Sequence, residues 1–310
     1  MTATPVDPPV TAAPVAPDAA IATSPSRARL VARRFARNRQ ALAGLVVIVV
    51  LFLLAYVGPL LTPWSYDELD YTAFLRPPSA DHWFGTTQIG ADVFAQTMRG
   101  LQKSLVIGLL VGVLSTSLAA VVGAAAGYFG GRVDRVLMWL VDLLIALPAF
   151  LILAIMSPSF RGDTWLVFVL LLAAFSWLLT ARIVRGQTIT LRDREFVQAA
   201  RFMGVGPWRI IFRHILPNMS SLLIIDATIT VGAAILAETG LSFFGFGIQA
   251  PDVSLGTLIG AGTDSALTFP WLFFFAAGLL VLAVLAVNLV GDGLRDALDS
   301  GSDRARKDRS

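Results

Sequence analysis

Four carboxylates, Asp142, Asp226, Glu238 and Asp292, stand inside or at the edge of long apolar runs. An acid in such a place marks a cargo contact, a proton relay or a bond between helices. None is paired with another at a spacing that would suggest a relay. Helix-to-helix hydrogen bonding or pairing with a nearby arginine is therefore the first reading of Asp142 and Asp226, with a gating or cargo contact beside it. Glu238 sits where water or helix packing can satisfy it, and Asp292 marks the end of the last run. The second stretch with chemistry to offer is Arg194–Asn218, REFVQAARFMGVGPWRIIFRHILPN, polar and basic between two apolar runs. It reads as two short helices broken at Gly204-Val205-Gly206-Pro207, glycine permitting unusual dihedrals and proline stopping the first helix. In the first helix, Phe196, Ala199, Ala200 and Met203 fall on one face, and Arg194, Gln198 and Arg201 on the other. Such a helix can lie on a membrane surface and enter a groove in another protein.

Catalytic chemistry is not written in the chain. It has no G-x-x-x-x-G-K-[ST] run, so no P-loop of its own to hold ATP, and no G-x-S-x-G or H-E-x-x-H. Cysteine is absent, which excludes disulfides and thiolate chemistry. The two histidines are His82 and His214, and His214 reads as a surface helix residue rather than a metal ligand. The sequence implies a protein that binds and docks.

The elements that must position these residues are membrane helices. Of the 310 residues 56% are hydrophobic and 15% charged, outside the range of soluble domains. Six runs, 41–61, 104–129, 136–160, 164–181, 215–237 and 269–291, are each long enough, 164–181 only at the lower limit, to cross a hydrocarbon layer of roughly 30 Å. Continuous apolarity argues against a barrel, whose strands would alternate. The expected fold is all-α and polytopic, with six transmembrane helices. With the N-terminus inside, only Arg76, Arg99, Lys103 and Arg161 of the 24 Lys and Arg fall outside, which favours an N-in, C-in topology. The net charge of +3 hides this asymmetry. The basic patches suit lipid head groups and an acidic partner rather than nucleic acid.

Domain organisation follows. Residues 1–40 read as a disordered, basic cytoplasmic tail, not a cleaved leader. The transmembrane domain covers 41–295, with an external segment at 62–102, a cytoplasmic loop at 182–214 and an external loop at 240–268. Residues 296–310 are a second cytoplasmic tail. The external segment is rich in aromatics (Trp64, Tyr66, Tyr71, Trp83, Phe84), as a partly folded cap or an interfacial belt would be. The Gly- and Phe-rich start of the external loop could be re-entrant, where protein or a water-filled cavity covers it. In the second run, Gly108, Gly112, Thr116, Ala120 and Ala124 form a small-residue stripe with Gly123 and Gly127 beside it, suited to close helix packing within the chain or against a second subunit.

Several of these stretches resemble one family. Gln198-Ala199-Ala200, then Gly204, then Ile215-Leu216-Pro217 resembles the E-A-A coupling loop of ABC importer permeases. The run from His82 to Asp92, the Gly127–Leu144 segment, Ala234–Phe243 and Asn288–Asp296 resemble motifs of the C-type permease of dipeptide, oligopeptide and nickel ABC importers, in family order. Its dipeptide branch from actinobacteria is the nearest likeness. The resemblance implies a type I importer permease fold in the inner membrane of a bacterium. It also implies a homologous second permease subunit, two cytoplasmic ATPase subunits or domains, and an extracytoplasmic solute-binding protein. ATP and magnesium would be held by the ATPase partners, with no cofactor bound by this chain. Glu195, Phe196, Gln198, Ala199, Ala200, Arg201, Gly204, Pro207 and Pro217 would couple to the ATPase. Gln198 stands where the family usually has an acid, and Thr87 and Ala91 replace an Asp and an Arg in the His82 motif. Dipeptides or short oligopeptides are the expected cargo, with haem or a nickel chelate as alternatives. A secondary transporter is a further alternative, but inverted repeats are not evident.

Overall fold

A computed structural model describes residues 27–156 and 165–298. The tail 1–26, the end of the third apolar run at 157–160, Arg161, Thr164 and the segment 299–310 lie outside the described residues. The described chain is mostly helical, and its only β pairings are the isolated bridges Leu69–Ala91 and Thr86–Asp92.

The axis of the structure is α3, Val93–Phe129, 37 residues long and therefore about 55 Å from end to end. It starts earlier than its apolar run. Arg99 and Lys103 lie within it and both pair with Asp252, Arg99 at 2.9 Å, so neither charge has to end the helix. Against α3 pack α7 (Leu178–Arg192) and α10 (Ser220–Phe243). A second layer joins α2 (Arg39–Val57) to α12 (Trp271–Leu298), which also lies against α10. The short helix α1 (Arg27–Phe35) packs on α12.

Four helical stretches, Arg39–Leu60, Val93–Phe129, Pro207–Phe243 and Trp271–Leu298, are each long and apolar enough to span a membrane. The other two expected spans are bent pairs, so the described residues hold four helices able to span, or up to six spans if each pair counts as one. The first pair joins α4 (Gly131–Ala146) and α5 (Ala149–Met156) at 72°. Its break falls on extended Leu147, because the ring of Pro148 excludes helical backbone in the residue before it. The second joins α6 (Trp165–Ser176) and α7 at 45°. There the Ser176 hydroxyl donates to the Leu172 carbonyl at 2.7 Å, a back-bond that bends helices. The helix α7 also runs on to Arg192, so the polar stretch expected from 182 as loop begins as helix.

The small-residue stripes pack within the chain. A Cβ added to Gly108 would lie 2.5 Å from Ile235, and one added to Gly112 would lie 3.0 Å from the Ala227 carbonyl, both on α10. At Gly123 and Gly127 the obstacles are the α7 carbonyls of Ala181 at 2.5 Å and Arg185 at 2.7 Å.

At the Val93 end of α3, residues 62–92 fold into a cap. Asp92 caps the helix by accepting from the Ala95 N–H at 2.7 Å, and its other oxygen meets His82 Nδ1 at 2.8 Å. Asp70 approaches His82 Nε2 at 3.4 Å, and Trp64 stacks on the imidazole at 4.7 Å. Hydrogen bonds from the Thr72 hydroxyl and N–H hold the Asp70 carboxyl below the usual carboxylate range. The helix α11 (Leu255–Thr263), begun by a Ser254 capping box, packs on α10 and α12 beside this cap.

Two stability outcomes follow. Gly123→Val would drive a side chain into backbone, and should cost about 1–3 kcal/mol, read as a lower unfolding temperature in detergent. His82→Ala leaves the buried Asp92 carboxylate with one partner fewer. It should cost roughly 2–4 kcal/mol locally, read as faster hydrogen exchange across 64–92.

Candidate functional site

The stretch between α7 and α10 forms a foot at the Phe129 end of α3. A short helix, α8 (Glu195–Phe202), follows Asp193 and Arg194. At its end the Val205 N–H reaches back to the Ala200 carbonyl at 3.1 Å, and Gly204 takes φ +76°. This left-handed closure is open to glycine and strained for most other residues. Nothing lies within 4 Å of a Cβ added there, so the constraint on Gly204 is conformational. Pro207 then opens α9 (Pro207–Ile210), where its missing N–H has no partner to lose. Pro217 stands inside the same continuous helical stretch. A π turn over Ile211–Ile215 and a 3-10 turn over Leu216–Met219 bypass the hydrogen bond that it cannot donate.

The foot is fastened on one side. Val197 and Ala200 are buried on Ala124, Tyr128 and Val184 of the axis helices and on Ile210, Ile211 and Ile215. The Arg201 guanidinium lies 5.6 Å from the Tyr128 ring centroid, and Arg192 donates to the Gly127 carbonyl at 3.1 Å. Gln198 turns back to donate to the Asp193 carbonyl at 3.2 Å. The other side is apolar and bare: Phe202 is 89% exposed and Met203 76%, with Phe196, Trp208 and Phe212 also exposed. The face drawn from spacing is thus divided, for Ala200 points inward while Phe196, Ala199 and Met203 point out. Inward Val197 and outward Phe202, Trp208 and Phe212 were not singled out by spacing. A rotation of the helix by one residue, about 100°, is invisible when both faces carry hydrophobic residues. Glu195 and Pro207 are exposed.

The acids inside the apolar segments are placed as follows. Asp142 on α4 pairs with Arg182 on α7 at 2.5 Å. Asp226 on α10 accepts from the Thr116 hydroxyl at 2.8 Å and the Thr180 hydroxyl at 2.7 Å, tying α3, α7 and α10 together. Glu238 is fully buried and accepts from Ser104 at 2.9 Å and Ser242 at 2.7 Å. Asp292 is exposed on α12. Sequence reading had Asp134 only as a position in the Gly127–Leu144 motif, without the Arg185 that it takes in a two-pronged pair, and did not single out Asp252 with its two cations. These contacts bridge residues far apart in the chain, and no local pattern announces them.

Residues 119–304 match the family described as binding-protein-dependent transport system inner membrane component. Residues 26–78 match the N-terminal TM domain of oligopeptide transport permease C. The chain is 57% identical over 283 residues to the oligopeptide transport system permease protein OppC of Mycobacterium tuberculosis, covering 91% of this chain and 97% of the relative. It is 40% identical over 268 residues to the dipeptide transport system permease protein DppC of Bacillus subtilis, covering 86% and 83%.

The two sides of α8 should respond differently to substitution. Val197→Asp buries an unpaired carboxylate and should cost about 3 kcal/mol or more. Phe202→Ser removes a side chain already in solvent and should leave the unfolding temperature within about 1 °C. Thermal unfolding of the two purified variants reads the contrast.

Proposed function

The chain belongs to the family of binding-protein-dependent transport system inner membrane components, a multi-pass permease rather than a catalyst, and from that premise we propose how it works. It passes dipeptides or short oligopeptides, the cargo classes in its relatives' names. It acts beside a homologous permease subunit, takes cargo from an extracytoplasmic binding protein and is driven by two ATPase subunits or domains that hold ATP and magnesium. Six spans with both termini cytoplasmic fit the distribution of basic residues.

The observation that carries this reading is the two-sided foot. One side of α8 is packed on α3, on Val184 of α7 and on the Ile210–Ile215 turns that lead into α10, and the other presents Phe202 and Met203 to solvent. Exposed apolar anchors of this kind mark protein contacts. An ATPase groove closing on them moves a body already packed to the spans. Packed interfaces shift between discrete arrangements rather than deforming smoothly, so the motion reaches the cargo path. Glu195, Phe196, Gln198, Ala199, Ala200, Arg201, Gly204, Pro207 and Pro217 make up this coupling segment. The inward bond of Gln198 means that its amide serves the foot rather than a salt bridge to the ATPase. Asp226, Glu238 and Asp292 have structural or gating roles.

The test is reconstitution of the copurified importer in liposomes, with ATP hydrolysis and uptake of a labelled dipeptide measured together. Binding protein plus peptide should stimulate both. Gly204→Asp imposes φ +76° on a side chain at a strain of about 1–2 kcal/mol while meeting no atoms. It should assemble yet lose most uptake per ATP hydrolysed. A variant with full transport would exclude the coupling role. Uptake of haem or a nickel chelate instead of peptide would reassign the cargo.

A further inference from the structure

The short helix α1 carries a charge pattern that the described residues leave unbalanced. Arg29, Arg33 and Arg37 recur at four-residue steps along α1 and the turn after it, and all three are exposed. Among the described residues none of these guanidinium groups has an ion pair or a hydrogen bond. The sequence has no Asp or Glu between Asp18 and Asp67. Elsewhere Arg99, Arg182 and Arg185 each hold a carboxylate. Like charges four residues apart repel along a helix, so the stripe favours an anion from outside the chain.

Two helices fix the level of this stripe. On its other side α1 is held to α12, with Val31 and Phe35 partly buried and the Phe35 ring 3.3 Å from a Cβ added to Gly293. Ala41, on α2, meets the same point. Asn38 caps α2 by accepting from the N–H groups of Gln40 and Ala41, and donates to Asp296 of α12 at 3.3 Å. The first apolar run begins at 41 and the last ends at 291. So α2 and α12 leave the apolar layer together, and α1 lies where they leave it. As α1 is only about 14 Å long, its arginines stay in or next to the head-group layer whatever its tilt.

The bare face of α2 is built for acyl chains. Leu42, Leu45, Val46, Val49 and Leu53 fall on one side of the helix and are all exposed. Membrane helices meet one another through small residues. The opposite side of α2 does so, where a Cβ added to Gly44 would lie 2.8 Å from the Ala286 carbonyl of α12. The bulky aliphatic face offers no such approach.

We infer that α1 is a docking surface for anionic phospholipid, its arginine stripe taking the head-group phosphate while the α2 face takes the chains. Guanidinium binds phosphate through paired N–H bonds, and each basic residue near an anionic surface adds to the attraction. Phosphatidylcholine carries the same phosphate but balances it with its own ammonium, so preference between the two lipids reads the charge. The inference rests on the chain's being a multi-pass permease, and on neither its cargo nor its coupling segment.

The importer is assembled with Ala32→Cys, the chain's only thiol and exposed on α1 between Arg29 and Arg33, and with partner subunits free of cysteine. A bimane on that thiol is read in phosphatidylcholine vesicles holding equal fractions of phosphatidylglycerol or phosphatidylcholine spin-labelled near the head group. Both should quench it, the anionic lipid about twofold or more strongly. The excess should shrink in about 1 M salt, where the Debye length is roughly 3 Å. In the triple variant Arg29→Gln, Arg33→Gln, Arg37→Gln the excess should vanish while quenching by phosphatidylcholine persists. The matching triple lysine variant should keep it. Equal quenching of the unaltered importer by both lipids, or an excess that survives the glutamine changes, would refute the site. Quenching by neither lipid would place α1 under a partner subunit and equally overturn the proposal. If the glutamine variant does not assemble, the salt dependence of the unaltered importer decides the same question. None of these measurements needs peptide uptake, so a failure of the peptide reading is told apart from a failure of this one.

Discussion

Lipid tails solvate leucine as well as another leucine does, so membrane helices adhere through close contact rather than through escape from water. Along α3 that contact reaches backbone. Gly108 and Gly112 admit α10, and Gly123 and Gly127 admit α7, at separations that leave no room for a methyl group. The cap, the foot and the buried carboxylates all take their positions from this seam. Asp226 can be shared by Thr116 and Thr180 only because three helices approach so closely around it.

The same seam supports the lever role proposed for this short surface helix. The inward face of α8 rests on Ala124 and Tyr128, the residues that directly follow the two glycines that hold α7. The chain leaving α8 turns at Gly204 and rises without a full break into α10. Force on the foot therefore reaches the two helices that flank α3. A loop tethered only at its ends would absorb the same force by bending.

At the opposite end, order comes from polar satisfaction. His82 sits between Asp70 and Asp92, and Asp252 gathers Arg99 and Lys103. The first ties α3 to the cap just before it, and the second to a segment 153 residues beyond Arg99. Glu238 joins α3 and α10 through serine hydroxyls. Most intramembrane acids in this chain are thus matched by donors, which makes the laterally open pair Asp142–Arg182 stand apart.

Much of this was legible beforehand. Apolar run length set the helical class, because a buried backbone must satisfy its own hydrogen bonds. The foot's two helices and their break followed from Gly204, Gly206 and Pro207, whose backbone limits are local. The family resemblance rested on short motifs, and matches over residues 119–304 agree with it. The bends at Leu147 and Trp177 were harder to foresee. A proline near a run's middle leaves the angle open, and a serine back-bond has no sequence signature. Which face of α8 turns inward depended on what α3 and α7 offered it, so Val197 and Ala200 were buried while Phe202 was left bare. Local chemistry, carried by each residue's own backbone and polarity, is determined by the sequence alone. Partnership across the seam, such as Asp142 with Arg182 or Asp252 with Lys103, was decided only by the tertiary structure, because it depends on distances that helix packing creates.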